Sequence, residues 1–105
     1  MIDIKVDLKR WKLSMKGHAQ YDEKGKDIVC AGASMLFYTL WATLEQYTND
    51  LSIYKKEVKE DEVSVRFKPV KEYEQTIAVV LLTIVNGFNL LSQEYHDNVK
   101  LTIKE

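Results

Sequence analysis

An α+β fold in the order strand, strand, helix, strand, strand, helix, strand is predicted by three features of this 105-residue chain. Several short segments alternate apolar and polar residues with period two, as half-buried strands do. Two long segments without proline are rich in good helix formers. Turn-forming or charged clusters separate these segments at short intervals. With 46% hydrophobic residues, four Gly and one Pro, the chain reads as a single domain over residues 1–105, too short for a second core.

The elements follow in order. Met1 to Leu8 places Ile2, Ile4, Val6 and Leu8 on one face with charges between them, which predicts a strand. After Lys9-Arg10 the alternation resumes at Trp11, Leu13 and Met15, so the first two strands form a hairpin. Gly17 to Lys26 is polar with glycine near both ends and predicts a loop, which carries His18. Asp27 then supplies a helix N-cap, and the first helix is expected from Ile28 to about Tyr47, with Asn49-Asp50 as its stop. Ser52 to Val58 and Glu62 to Lys68 alternate around the charged turn Lys59-Glu60-Asp61 and predict a second hairpin, ended by Pro69. A second helix is expected from about Glu72 to Tyr95, and Val99, Leu101 and Ile103 make a last strand.

Both helices are apolar around most of their circumference. Ile28, Val29, Ala31, Met35, Leu36, Phe37, Leu40, Trp41 and Leu44 do this in the first, and the run Ile77 to Val85 does so in the second. A helix with one face in water carries a polar stripe, so each helix should be covered on two sides. Two long helices packed between or against small β-sheets satisfy this, with a partner subunit as the second cover if only one sheet is present. The aromatics Phe37, Tyr38 and Trp41 are read as packing.

Charge and composition exclude several function classes. Fifteen basic residues against sixteen acidic ones, interspersed, give a net charge of -1 and no basic tract for nucleic acid. The N-terminus alternates and lacks the apolar core of a signal peptide, and the most apolar run stops at Asn86-Gly87, so no membrane span is expected. A lone cysteine cannot form an internal disulfide, which fits a reducing cytoplasm. One Cys and two distant His residues show no clustered ligand spacing, and the glycines are too dispersed for a phosphate loop, so neither a metal nor another cofactor is expected.

The chemistry centres on Cys30, in the first turn of the first helix. Unpaired backbone N–H groups and the positive end of the helix dipole favour the ionised, nucleophilic form of a thiol placed there. A nucleophile that cleaves an amide also needs a group to protonate the leaving amine, and His18, on the loop before the helix, is the natural candidate. Asp27 has two competing roles, as helix cap or as partner orienting the imidazole. Ser34 lies one turn beyond Cys30 on the same face, where its hydroxyl would serve a substrate or bond its own backbone. His96 reads as an exposed side chain. The competing reading is a non-catalytic dimeric peptide-binding module with a buried structural Cys30, and a redox sensor would lack a resolving thiol.

The segments Gly17-His18-Ala19 and Gly25-Lys26-Asp27-Ile28-Val29-Cys30-Ala31, followed by Ser34, closely resemble the ribosomal-processing cysteine protease (Prp) family of bacteria. The ending Asn86-Gly87-Phe88, Leu90-Leu91, Glu94-Tyr95, Val99 is similar to that family's second helix and closing strand, so the resemblance covers nearly the whole chain. It implies a cytoplasmic cysteine endopeptidase with a Cys/His dyad, Cys30 as nucleophile and His18 as base. Its substrate would be the N-terminal extension of a large-subunit ribosomal protein, cut after an apolar and aromatic sequence. A capsid or scaffold protein is the alternative substrate in a bacteriophage setting. Asp27 and Ser34 would support the dyad or bind substrate, Gly17 would free the histidine loop to move, and a homodimer is implied. The chain departs from the family at Gly32, within the usual run of small residues, and at His96, where a proline often stands.

Overall fold

The computed structural model describes residues 1–105. Five strands, β1 (Ile2–Asp7), β2 (Lys12–Lys16), β3 (Lys55–Val58), β4 (Glu62–Arg66) and β5 (Val99–Lys104), form one mixed sheet in the order β3-β4-β2-β1-β5. Only the β1–β5 pair is parallel, and the long connection between those strands leaves room for both helices. These are α1 (Ile28–Glu45) and α2 (Glu74–Glu94), which cross one face of the sheet and pack on each other.

The buried face follows from the alternation. Ile2, Ile4 and Val6 of β1, Leu13 of β2, Val65 of β4 and Val99 of β5 point into the core. They meet Val29, Ala33, Phe37, Leu40 and Leu44 of α1 and Ile77, Leu81, Ile84, Val85 and Phe88 of α2, each set at helical spacing. Phe37, Phe67 and Phe88 are fully enclosed. On the opposite face Asp3 lies across from Lys16 and Lys100, and Asp7 across from Lys12 and Lys104. Opposite charges at paired positions suit a solvated sheet face.

A single sheet therefore covers one side of the helix pair, and no second sheet lies on the other. That outer side is exposed and apolar: Met35 is 64% and Leu90 67% accessible, with Ile28 and Val79 also open. Both helices are long and apolar enough to span a bilayer by length and composition alone. In this fold they cover the sheet.

Other differences are local. Trp11 sits in the β1–β2 turn with φ 54° instead of in the strand. β3 begins at Lys55, because Ser52 and Ile53 both donate to the Lys68 carbonyl and Leu51 pairs with Pro69. Lys71–Tyr73 is a 3-10 turn leading into α2. Gly32 has room for a methyl group, which would meet Leu91 Cδ1 at 3.5 Å, so packing within the chain does not demand glycine there. At Gly87 a methyl would press on Leu36 Cδ2, and glycine allows that close approach of α2 to α1.

Candidate active site

Cys30 sits in the first turn of α1 and is half-buried. A sealed structural thiol, as the binding-module reading requires, is not what the fold contains. Cys30 lines two clefts. The first, of about 240 Å³, runs along α1 past Ser34 and Tyr38, with Ile2, Met15 and Val63 from the sheet and Lys59 to Glu62 from the β3–β4 turn. The second, of about 540 Å³, opens towards the 20–27 loop. His18 is exposed and borders both clefts, so the topology brings imidazole and thiol to one place although no hydrogen bond joins them.

Asp27 is the N-cap of α1, and its two oxygens do separate work. Oδ1 accepts from the Val29 and Cys30 amides at 3.0 and 2.9 Å, satisfying the start of the helix. Oδ2 accepts from the Tyr21 and Asp22 amides at 3.0 and 3.3 Å, which pins the histidine loop to the same helix end. Burial raises the Asp27 carboxyl, but the amides of Cys30, Asp22 and Tyr21, with the Cys30 side chain, outweigh it and hold the carboxyl below its ordinary range. Asp27 makes no bond to His18.

The cap has a chemical consequence. The Val29 and Cys30 amides are occupied by the Asp27 side chain, and the Ala31 amide by the Asp27 carbonyl. These three donors at the helix start are not free to receive a developing oxyanion. The sulfur instead accepts a hydrogen bond from outside the helix, from the Ala19 amide at 3.3 Å.

Gly17 ends β2 with φ 90°, where its amide donates to the Asp61 carbonyl at 2.9 Å. A Cβ there would stand 2.6 Å from the Met1 carbonyl oxygen, so glycine is required by both conformation and space. This contact also draws the acidic β3–β4 turn to the cleft. Ser34 lies on the cleft wall one turn from Cys30. Tyr38 departs from its expected place in the core: it is half-exposed and continues the Cys30, Ser34 face along the cleft. The spacing of these residues at intervals of four shows that face in the sequence. The Ala19 amide and the 59–62 turn leave no such trace, because backbone donors and tertiary neighbours carry no residue pattern.

A thiol at a helix start that shares two clefts with an imidazole is the arrangement a cysteine protease uses. The family described as cysteine protease Prp matches residues 1–100, and the chain belongs to that family. The ribosomal processing cysteine protease Prp of Staphylococcus aureus (strain Mu50 / ATCC 700699) is 27% identical over 92 residues, 86% of this chain and 83% of the relative. The crystal structure of an essential ribosomal processing protease Prp from S. aureus, in complex with a covalently linked product peptide, aligns with a TM-score of 0.72 at 26% identity, covering 98% of this chain and 97% of that one. A Streptococcus mutans protein shares the fold at 18% identity, with a TM-score of 0.71 over 98% of this chain and 91% of its own.

Proposed function

We propose that this chain is a cytoplasmic endopeptidase that removes an N-terminal extension from a large-subunit ribosomal protein, with Cys30 as nucleophile and His18 as its acid and base. The observation that carries this reading is a half-buried thiol sharing both of its clefts with the one histidine near it. The name of the S. aureus relative supports the substrate class. The Cys30 thiolate adds to the scissile carbonyl and forms a C–S bond, and the His18 imidazolium protonates the amine as the C–N bond breaks. Water, deprotonated by His18, then releases the acid and restores the thiolate. Ser34 and Tyr38 line the path of the bound peptide.

The test is a denaturing mass measurement during turnover of a peptide spanning such an extension. The expected result is a transient adduct on Cys30, equal in mass to the acyl half of the peptide and labile to hydroxylamine. Cleavage without any adduct on Cys30, and unaffected by its alkylation, overturns the reading.

The same reading includes a homodimer through the outer faces of α1 and α2, supported by the exposed apolar groove between them at Met35 and Leu90. Leu90→Asp lies outside the core, so the subunit should keep its fold while a sedimenting dimer becomes a monomer. A wild-type monomer at micromolar concentration, or a dimer that survives Leu90→Asp, removes this interface.

A further inference from the structure

The turn that closes α2 reaches the active-site loop. Asn98 has its own backbone fixed on both sides, its amide donating to the Tyr95 carbonyl at 2.9 Å and its carbonyl accepting from the Ile2 amide at 2.8 Å. From that anchored position its side-chain Nδ2 donates to the Ala19 carbonyl at 2.8 Å, across 79 residues of sequence. Ala19 is the residue whose amide donates to Cys30 Sγ at 3.3 Å. Ala19 as a whole is only 1% accessible, so the residue is packed in place. Gln20, next in the loop, is held at φ 56°, a left-handed conformation that a non-glycine residue keeps only when its surroundings impose it. Tyr21 adds a second hold, its ring edge-on to Tyr95 at 5.3 Å.

From these contacts we infer that Asn98 is a positioning residue of the protease, acting through the Ala19 amide, which is a catalytic group because it touches the reacting sulfur. The inference rests on the reading of Cys30 as nucleophile. An N–H donor aimed at sulfur stabilises the thiolate over the thiol, since hydrogen bonds to a charged acceptor are the stronger ones. That benefit depends on orientation, and the loop bearing Ala19 has no regular structure to supply it. Asn98 supplies it by clamping the carbonyl of the same residue to the end of α2 and, through Ile2, to β1. Three of the amides at the helix start are engaged elsewhere, so a donor from the loop takes the role expected of them.

The test uses Asn98→Ala and Asn98→Leu, both without the Nδ2 donor and neither adding a charge near the thiol. The readouts are thiolate ultraviolet absorbance, the rate of iodoacetamide alkylation at neutral pH, and kcat and KM on the extension peptide. Both variants should show a lower thiolate absorbance and an alkylation rate about tenfold below that of the wild type. kcat should fall by a similar factor, with KM changed less than about twofold, the pattern of an interaction lost at the reacting centre. The charged neighbours of the thiol, His18, Asp22, Lys24, Asp27 and the turn from Lys59 to Glu62, are unaltered in both variants, so the shift reports on Ala19. A folded variant whose thiolate absorbance and alkylation rate equal those of the wild type overturns the inference. If only one variant folds, that variant decides, and failure of both to fold also overturns it by making Asn98 a scaffold residue. Cleavage that persists in Cys30→Ala would instead defeat the underlying reading, so the two failures are distinguishable.

Discussion

Cys30→Ala is expected to lower kcat/KM on an extension peptide by about 10⁴-fold or more, because it removes the covalent route altogether. His18→Ala should cost about 10²- to 10⁴-fold, the range of a positioned proton-transfer group. The double variant should be no worse than Cys30→Ala alone, since residues that act as one unit do not contribute additively. Initial rates measured by chromatography of the cleaved peptide give all three values. Losses that multiply in the double variant would show that imidazole and thiol act independently. His18 is exposed and makes no bond to the sulfur, so on the reading of His18 as base the ring must swing to the thiol about its own side-chain bonds when peptide binds, while Ala19, Tyr21 and Asp22 stay held. A His18→Ala loss confined to kcat would fit that picture, whereas a loss confined to KM would make the imidazole a substrate contact.

Much of this site could be read from residue types, and the unread part has a common cause. The alternation of Ile2, Ile4 and Val6 is local, and so is the capping of α1 by Asp27, so both are legible without a structure. The face formed by Cys30, Ser34 and Tyr38 is equally local, although treating Tyr38 as core missed its place on the cleft. Helix apolarity was harder to interpret. It shows that Met35 and Leu90 want cover but not that the sheet lies on the other side of the helices, leaving them open. The strand order is set by long-range pairing, and only that order places Asn98 beside Ile2 and within reach of Ala19. A bond between two positions so distant, one of them a backbone carbonyl, leaves nothing in either local segment to find. The approach of Asp61 to Gly17 is of the same kind.

The second large effect falls on Asp27, where one carboxylate serves two structures. Asp27→Ala removes the acceptor of four backbone amides at once, two at the start of α1 and two in the loop. Loss of the cap alone should cost about 1–2 kcal/mol of stability. Release of the loop should cost about 10²-fold in kcat/KM, since a displacement of about 1 Å at a reacting group has that effect. Asp27→Asn separates the two jobs. Its single side-chain oxygen can accept from one donor pair, but its NH₂ must then face the other pair, donor against donor. Thermal unfolding should therefore rank wild type above Asn above Ala, and Asn should already lose most of the activity if the cap keeps the oxygen. Acid supplies an independent check on the charged form. The folded carboxyl lies below its ordinary value near 3.8, so its stabilisation is present above that value and disappears as pH falls through the folded one. The melting temperature of the wild type should fall more steeply below pH 3.8 than that of Asp27→Asn, which has no carboxyl to protonate at this position. Parallel acid profiles for the two proteins would mean that the four contacts do not depend on the charge, and the case for Asp27 as the latch of the histidine loop would fail.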